Sequence, residues 1–271
     1  MLSYSFLSVI SGIFVYSIII FFNYIKTSKP QFRHFEFSKR NYYIMMSPFI
    51  IGLLAYAIAI GSIKPILVFI IFALAGVFGE TFFSVIWDSL FDKRFWIYRV
   101  DTLYKSYSSL LNFIPWGVGG FLYLSIVDLI KIDYDKSLPI PFYFFMLVLF
   151  TCFQIIIFIV AYFSKRRRKI NFEFRELNIK TYIFFILPII SSIIIVSIIY
   201  SIFFIVLFVV FGLVAFISEY LFGKMCTFFI SKKLRYYTYY TIDNKHTTPL
   251  NIVPFGIAGF YFWSAYLIIF S

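Results

Sequence analysis

Long apolar runs, broken by short polar stretches rich in Lys and Arg, organise this chain. A helix crossing hydrocarbon needs about 20 mostly apolar residues. Runs of that kind lie near 4–24, 43–60, 66–90, 112–130, 141–163, 181–199, 202–230 and 251–270. Two apolar stretches, 43–90 and 181–230, are each too long for one crossing. Gly61-Ser62-Ile63-Lys64-Pro65 carries turn residues that split the first, and Tyr200-Ser201 splits the second. The pattern predicts an all-α integral membrane protein with eight transmembrane helices.

Comparing the chain with itself sharpens this picture. The stretch Asn112-Phe113-Ile114-Pro115-Trp116-Gly117-Val118-Gly119-Gly120-Phe121 matches Asn251-Ile252-Val253-Pro254-Phe255-Gly256-Ile257-Ala258-Gly259-Phe260, at an offset of 139 residues. The same offset pairs Glu80 with Glu219, Phe83 with Phe222, Lys93 with Lys232, Tyr98 with Tyr237 and Thr102 with Thr241. The expected organisation is a first four-helix membrane repeat over 1–130, an outer connector over 131–139, and a second four-helix repeat over 140–271. An even number of spans in each copy makes the two repeats parallel in orientation, related by an axis along the membrane normal.

Composition agrees with a hydrocarbon environment. Apolar residues make up 62% of 271 positions and charged residues 13%, about half the usual soluble share of about 25%. The formal charge of +12 would suggest nucleic acid in a soluble protein. Here the basic residues sit in short loops, where they read as topology signals and lipid-headgroup contacts, so no nucleic acid is expected. With the N-terminus outside, segments 25–42, 91–111, 164–180 and 231–250 hold 20 of the 24 Lys and Arg. That asymmetry follows the positive-inside rule and predicts both termini outside a bacterial cytoplasmic membrane. Met1-Leu2-Ser3-Tyr4 lacks a basic start and a small-residue cleavage site, so the first run is expected to remain as a helix. Cys152 and Cys226 lie inside apolar runs without ligand spacing, and His34 and His246 are distant loop residues. Neither pair predicts a metal, and no cofactor motif is present.

The candidate chemistry is intramembrane. Glu80 and Glu219 sit well inside long spans, where a charged side chain costs on the order of 2.5–3.5 kcal/mol. A partner, a wet cavity or a proton must offset that cost. The functional reading is a proton or cation relay, or a polar-substrate anchor; the bland one is a carboxylic acid that fixes helix packing. Asn112 and Asn251 are candidates for binding or proton relay beside them, and also fit the role of helix caps. Pro115 and Pro254 suit a first helical turn. Gly117, Gly120, Gly256 and Gly259 suit close helix approach. Trp87 and Asp88 are expected at the inner interface. The loops after the third and seventh spans mix Phe95, Trp96, Tyr98, Tyr104, Tyr236, Tyr237, Tyr239 and Tyr240 with basic residues, and are expected to lie in the headgroup layer.

Glu80-x-x-Phe83-Ser84-x-x-Trp87-Asp88, followed by Ser108-Ser109 and Pro115-x-Gly117, resembles the ABC-transporter type IV family, multi-pass proteins that include some small vertebrate transmembrane proteins. The likeness covers about 45 residues of the first half. The second half keeps Glu219, Phe222, Pro254 and Gly256, with Cys226-Thr227 in place of Trp-Asp. The resemblance implies membrane transport. It joins the expectation of a transport-type protein with a polar site between two repeats, and membrane lipids as partners. Two alternatives stand beside it: a non-catalytic assembly or lipid-organising protein with a protein partner or second copy, and, third, an intramembrane enzyme acting on lipid. A non-enzymatic role is preferred, because no nucleophile or metal cluster supports catalysis.

Overall fold

A computed structural model describes residues 39–91, 94–130, 159, 179–199, 201–230 and 234–270. The expected spans at 4–24 and 141–163, the connector at 131–139 and the basic run 165–169 lie outside the described residues. The rest is mostly helical: α1 (Lys39–Ala59), α2 (Lys64–Leu90), α3 (Phe113–Leu129), α4 (Ile179–Ile199), α5 (Phe203–Ile230) and α6 (Ile252–Phe270). Among the described residues, five segments are long and apolar enough to cross a membrane: Tyr42–Ala59, Lys64–Asp88, Leu110–Leu129, Phe203–Thr227 and Pro249–Ile269. Within α4, Phe185–Ile199 is a shorter apolar segment.

Both expected breaks are present. Gly61 takes a left-handed φ of 61° after α1, which a residue without Cβ adopts at little cost. Its N–H bonds Ile58 O, and the next N–H, of Ser62, bonds Ala57 O. That pair of bonds satisfies carbonyls that the helix end would otherwise orphan. Ser62 Oγ accepts from Lys64 N, and Ser201 Oγ accepts from Phe203 N, both at 3.2 Å. The Ser62 and Ser201 positions are 139 apart. The first turn encloses four residues and the second three, so α1 and α4 end 140 positions apart, the same spacing as Pro48 and Pro188 within them.

The core lies among α2, α3, α5 and α6, around Phe72, Phe121, Tyr123, Leu124, Phe211, Phe260, Phe262 and Trp263. Glycine sets the spacing there. A Cβ on Gly120 would fall 2.1 Å from the Phe72 ring, and one on Gly259 2.3 Å from the Phe211 ring. Gly117 and Gly256 meet the rings of Phe69 and Phe208 in the same way. Helix α3 runs unbroken from Phe113 with Pro115 in its first turn, so the Pro-Gly stretch is a packing device and not a broken helix.

The segments between helices are not extended loops. Residues 94–112 and 234–251 fold back against the bundle. Two short antiparallel strands, β1 (Trp96–Tyr98) and β4 (Arg235–Tyr237), pair with Ile97 opposite Tyr236. Flanking bonds from Arg99 N to Leu234 O and Thr238 N to Phe95 O extend the ladder. A smaller pair joins β2 (Thr102–Leu103) to β3 (Ser108–Ser109). Backbone buried away from water needs its polar groups paired, and these ladders supply much of that pairing. Phe95, Trp96, Tyr98 and Tyr237 are buried, whereas Tyr104 and Tyr240 stay exposed. Trp87, expected at the interface, is only 1% exposed. It packs against Phe83, Phe91, Phe95, Phe185 and Tyr239, because α4 and the returning loop enclose the end of α2. Asp88 is half-buried, accepting from Tyr107 OH at 2.6 Å with Arg94 Nε 3.5 Å away.

Candidate functional site

Glu80 lies ten residues before the end of α2, about 15 Å along the axis at 1.5 Å per residue. Glu219 holds the matching place on α5. Both are buried, at 4% and 7% exposure, because β1, β4 and the starts of α3 and α6 close over them.

Donors converge on each carboxylate from corresponding positions. Glu80 Oε1 accepts from Tyr98 OH and from Asn112 Nδ2 at 3.1 Å. Its Oε2 accepts from Asn112 Nδ2 at 2.9 Å and from Ser108 Oγ at 2.7 Å. Glu219 Oε1 accepts from Tyr237 OH, and its Oε2 from Thr247 Oγ1 at 2.6 Å and Asn251 Nδ2 at 2.8 Å. Each Asn also donates to its own tyrosine, Asn112 to Tyr98 OH and Asn251 to Tyr237 OH. Tyr98 and Tyr237, Ser108 and Thr247, and Asn112 and Asn251 are each 139 residues apart.

Arg235 breaks the correspondence and joins the two halves of the site. From β4 its Nη1 donates to Glu80 Oε1 at 2.5 Å and to Tyr98 OH at 2.8 Å, while Nη2 donates to Glu219 Oε1. The guanidinium carbon sits 5.9, 5.8 and 5.4 Å from the rings of Trp96, Tyr98 and Tyr237, within the range of cation–π attraction. Position 96, which corresponds to 235, is Trp, and its Nε1 donates to Tyr107 O at 2.8 Å. One cation thus serves two buried carboxylates, leaving a formal charge of −1 when both are ionised. Among the described residues, Arg235 is the only basic side chain within ion-pair distance of either glutamate.

The hydroxyls of the strands are tuned by the same packing. Burial pushes Tyr237 up to about 12, against a partial opposing pull from Arg235. Burial also drives Tyr98 well above the ordinary tyrosine range, despite Arg235, with Glu80 adding to the rise. Both hydroxyls therefore remain proton donors to the glutamates at neutral pH.

Asn112 and Asn251 are not the expected helix caps: the amide of each is spent on the carboxylates. Ser109 and Thr248 cap instead, their hydroxyl oxygens accepting from Leu111 N and Leu250 N. Sequence reading missed Arg235 as a site residue, because a residue that replaces Trp gives no repeat signal. Tyr98 with Tyr237 and Ser108 with Thr247 did carry one, since both pairs recur at the offset that links the glutamates.

A cavity of about 250 Å³ reaches this cluster between α1, α3 and α5. Its walls are largely apolar, with Met46, Phe49, Trp116, Phe222 and Met225 among them, and Asn112, Glu219 and Arg235 line its polar end. Among the described residues no group of His, Cys, Asp and Glu is arranged to hold a metal. No family model, curated protein or solved structure matches the chain.

Proposed function

We propose that this is a transport-type membrane protein whose polar intramembrane site is the Glu80–Arg235–Glu219 cluster, lying between two four-helix units that stand parallel in the membrane. One observation carries the reading: a buried, charged cluster lies at the end of a cavity that is otherwise apolar. Burying charge is expensive even when it is paired, so intramembrane ionisable groups mark functional sites, and a cavity that reaches this one supplies the access that transport requires. The antiparallel pairing of Ile97 with Tyr236, residues 139 apart, supports a two-fold relation between the units, since a local dyad passes between paired antiparallel strands. Basic residues near the strand end of the bundle, including Lys39, Arg40, Arg94, Arg99 and Lys245, support an inward-facing strand side and eight spans with both termini outside a bacterial cytoplasmic membrane. Ser108, one of the residues that carry the resemblance to the ABC-transporter type IV family, donates to Glu80 Oε2, which supports reading that stretch as part of the site.

The test is flux. Purified protein in liposomes with a trapped pH-sensitive dye should pass protons, alone or with a solute. Glu80→Gln and Glu219→Gln should abolish the flux while the protein still elutes as a folded species. Unchanged flux in both variants would refute the relay. A second reading, a non-catalytic assembly or lipid-organising protein, draws on the saturation of the carboxylates: every oxygen already accepts a bond from within the chain. On that reading the same substitutions lower thermal stability, the native protein passes nothing, and a partner or second copy co-purifies.

A further inference from the structure

The cavity that reaches the glutamates is long and narrow. Its α3 wall runs from Asn112 to Tyr123 and its α5 wall from Ala215 to Met225. At 1.5 Å per residue each wall is about 15 Å long. An apolar cavity of about 150 Å³ holds one benzene ring, so a volume of 250 Å³ takes about ten non-hydrogen atoms. Over that length so few atoms form a single row. An unbranched chain fits, and a bulky ring system does not. Asn112 stands near the start of Leu110–Leu129, a segment long and apolar enough to cross a membrane. Hydrocarbon is about 30 Å thick, so from its polar end the cavity runs alongside about one leaflet. Leu221 on its wall is 53% exposed, which opens the cavity sideways onto the apolar outer face of α5.

The polar end decides what head the chain carries. A guanidinium has five N–H donors; Arg235 spends three of them on Glu80, Glu219 and Tyr98, which leaves two without an acceptor among the described residues. Its side chain keeps 15% exposure and lines the cavity. The glutamates are in the reverse state, because each of their oxygens already accepts a bond from within the chain. A ligand cation therefore finds no free carboxylate oxygen. An anion would be a third acid set against one base. An uncharged head that accepts hydrogen bonds meets both conditions: it takes the spare N–H groups and adds no charge.

Resting on the transport reading above, we propose that the substrate is a single-chain lipid of medium length with an uncharged, hydrogen-bond-accepting head. Its chain lies in the cavity between α1, α3 and α5, and its head oxygen accepts from Arg235. No covalent bond changes.

Four chains of one length make the test: decan-2-one, undecane, nonanoate and decylammonium. A compact ketone, acetyladamantane, is added to probe shape. Binding to the full chain in nanodiscs of zwitterionic lipid is read by equilibrium dialysis, with empty nanodiscs subtracting partition into lipid. Decan-2-one should bind roughly tenfold tighter than each of the others, the worth of one hydrogen bond to a charged donor. Arg235→Met, assayed well below its melting temperature, should bring decan-2-one down to the level of undecane. Gly119→Leu is the second variant: Gly119 lines the cavity, and a Cβ there meets nothing within 4 Å. It should block decan-2-one and undecane alike without lowering the melting temperature. Undecane or acetyladamantane binding as tightly as decan-2-one, preference for either charged chain, a ketone advantage that survives Arg235→Met, or unchanged binding in Gly119→Leu would each overturn the proposal. Proton flux in liposomes with no decan-2-one binding would sink this inference and leave the transport reading standing. Selective decan-2-one binding without flux would do the reverse.

Discussion

Arg235→Met removes the guanidinium that holds Glu80 and Glu219 together while keeping a side chain of similar length. Three bonds vanish, those to Glu80 Oε1, Glu219 Oε1 and Tyr98 OH, and two buried carboxylates are left facing each other. Breaking a buried ion pair by removing one partner costs about 3–5 kcal/mol, because the surviving charge stays desolvated. At roughly 2–4 °C per kcal/mol for a chain of this size, the melting temperature should drop by roughly 6–20 °C. Tryptophan fluorescence on heating in detergent reads this directly, since Trp96 lies beside the guanidinium. The cost belongs to unpaired charge and not to lost packing, so the triple variant Glu80→Gln, Glu219→Gln, Arg235→Met should recover most of the loss; a neutral replacement of a buried ionic group is often no less stable. Arg235→Met melting within roughly 2 °C of the native protein, or a triple variant less stable than the single one, would show that the guanidinium does not hold the two carboxylates.

Further outcomes follow from packing and titration. Gly120→Ala places a Cβ 2.1 Å from the buried Phe72 ring and should destabilise by about 1–3 kcal/mol, while Gly79→Ala, whose Cβ meets nothing within 4 Å, should melt at or slightly above the native temperature. Trp87→Ala empties the centre of the aromatic cluster beside α4 and should cost about 3–5 kcal/mol, read in the same melt. Tyr237 has its pKa raised from 10.0 to about 12, so folding favours its neutral form. That contribution is whole below pH 10 and is lost as pH rises towards about 12. Tyr237→Phe should therefore flatten the alkaline fall in melting temperature over that window, and an unchanged slope would contradict the assignment.

Much of the helical plan was legible in the residues alone. Apolar runs of spanning length, the Gly61 turn and Ser201 mark α1, α2, α4 and α5 within a few residues, because in hydrocarbon each backbone segment must satisfy its own hydrogen bonds and a helix does so locally. The pairing of Glu80 with Glu219, Asn112 with Asn251 and Tyr98 with Tyr237 was also legible, since an offset of 139 needs no coordinates. Tertiary structure alone decided the rest. It folded residues 94–112 and 234–251 back against the bundle, where pairing β1 with β4 satisfies buried backbone. It spent Asn112 and Asn251 on carboxylates and left capping to Ser109 and Thr248. It also set Arg235 between two glutamates 155 and 16 positions away in the chain, a contact of side chains distant in sequence that no local pattern encodes.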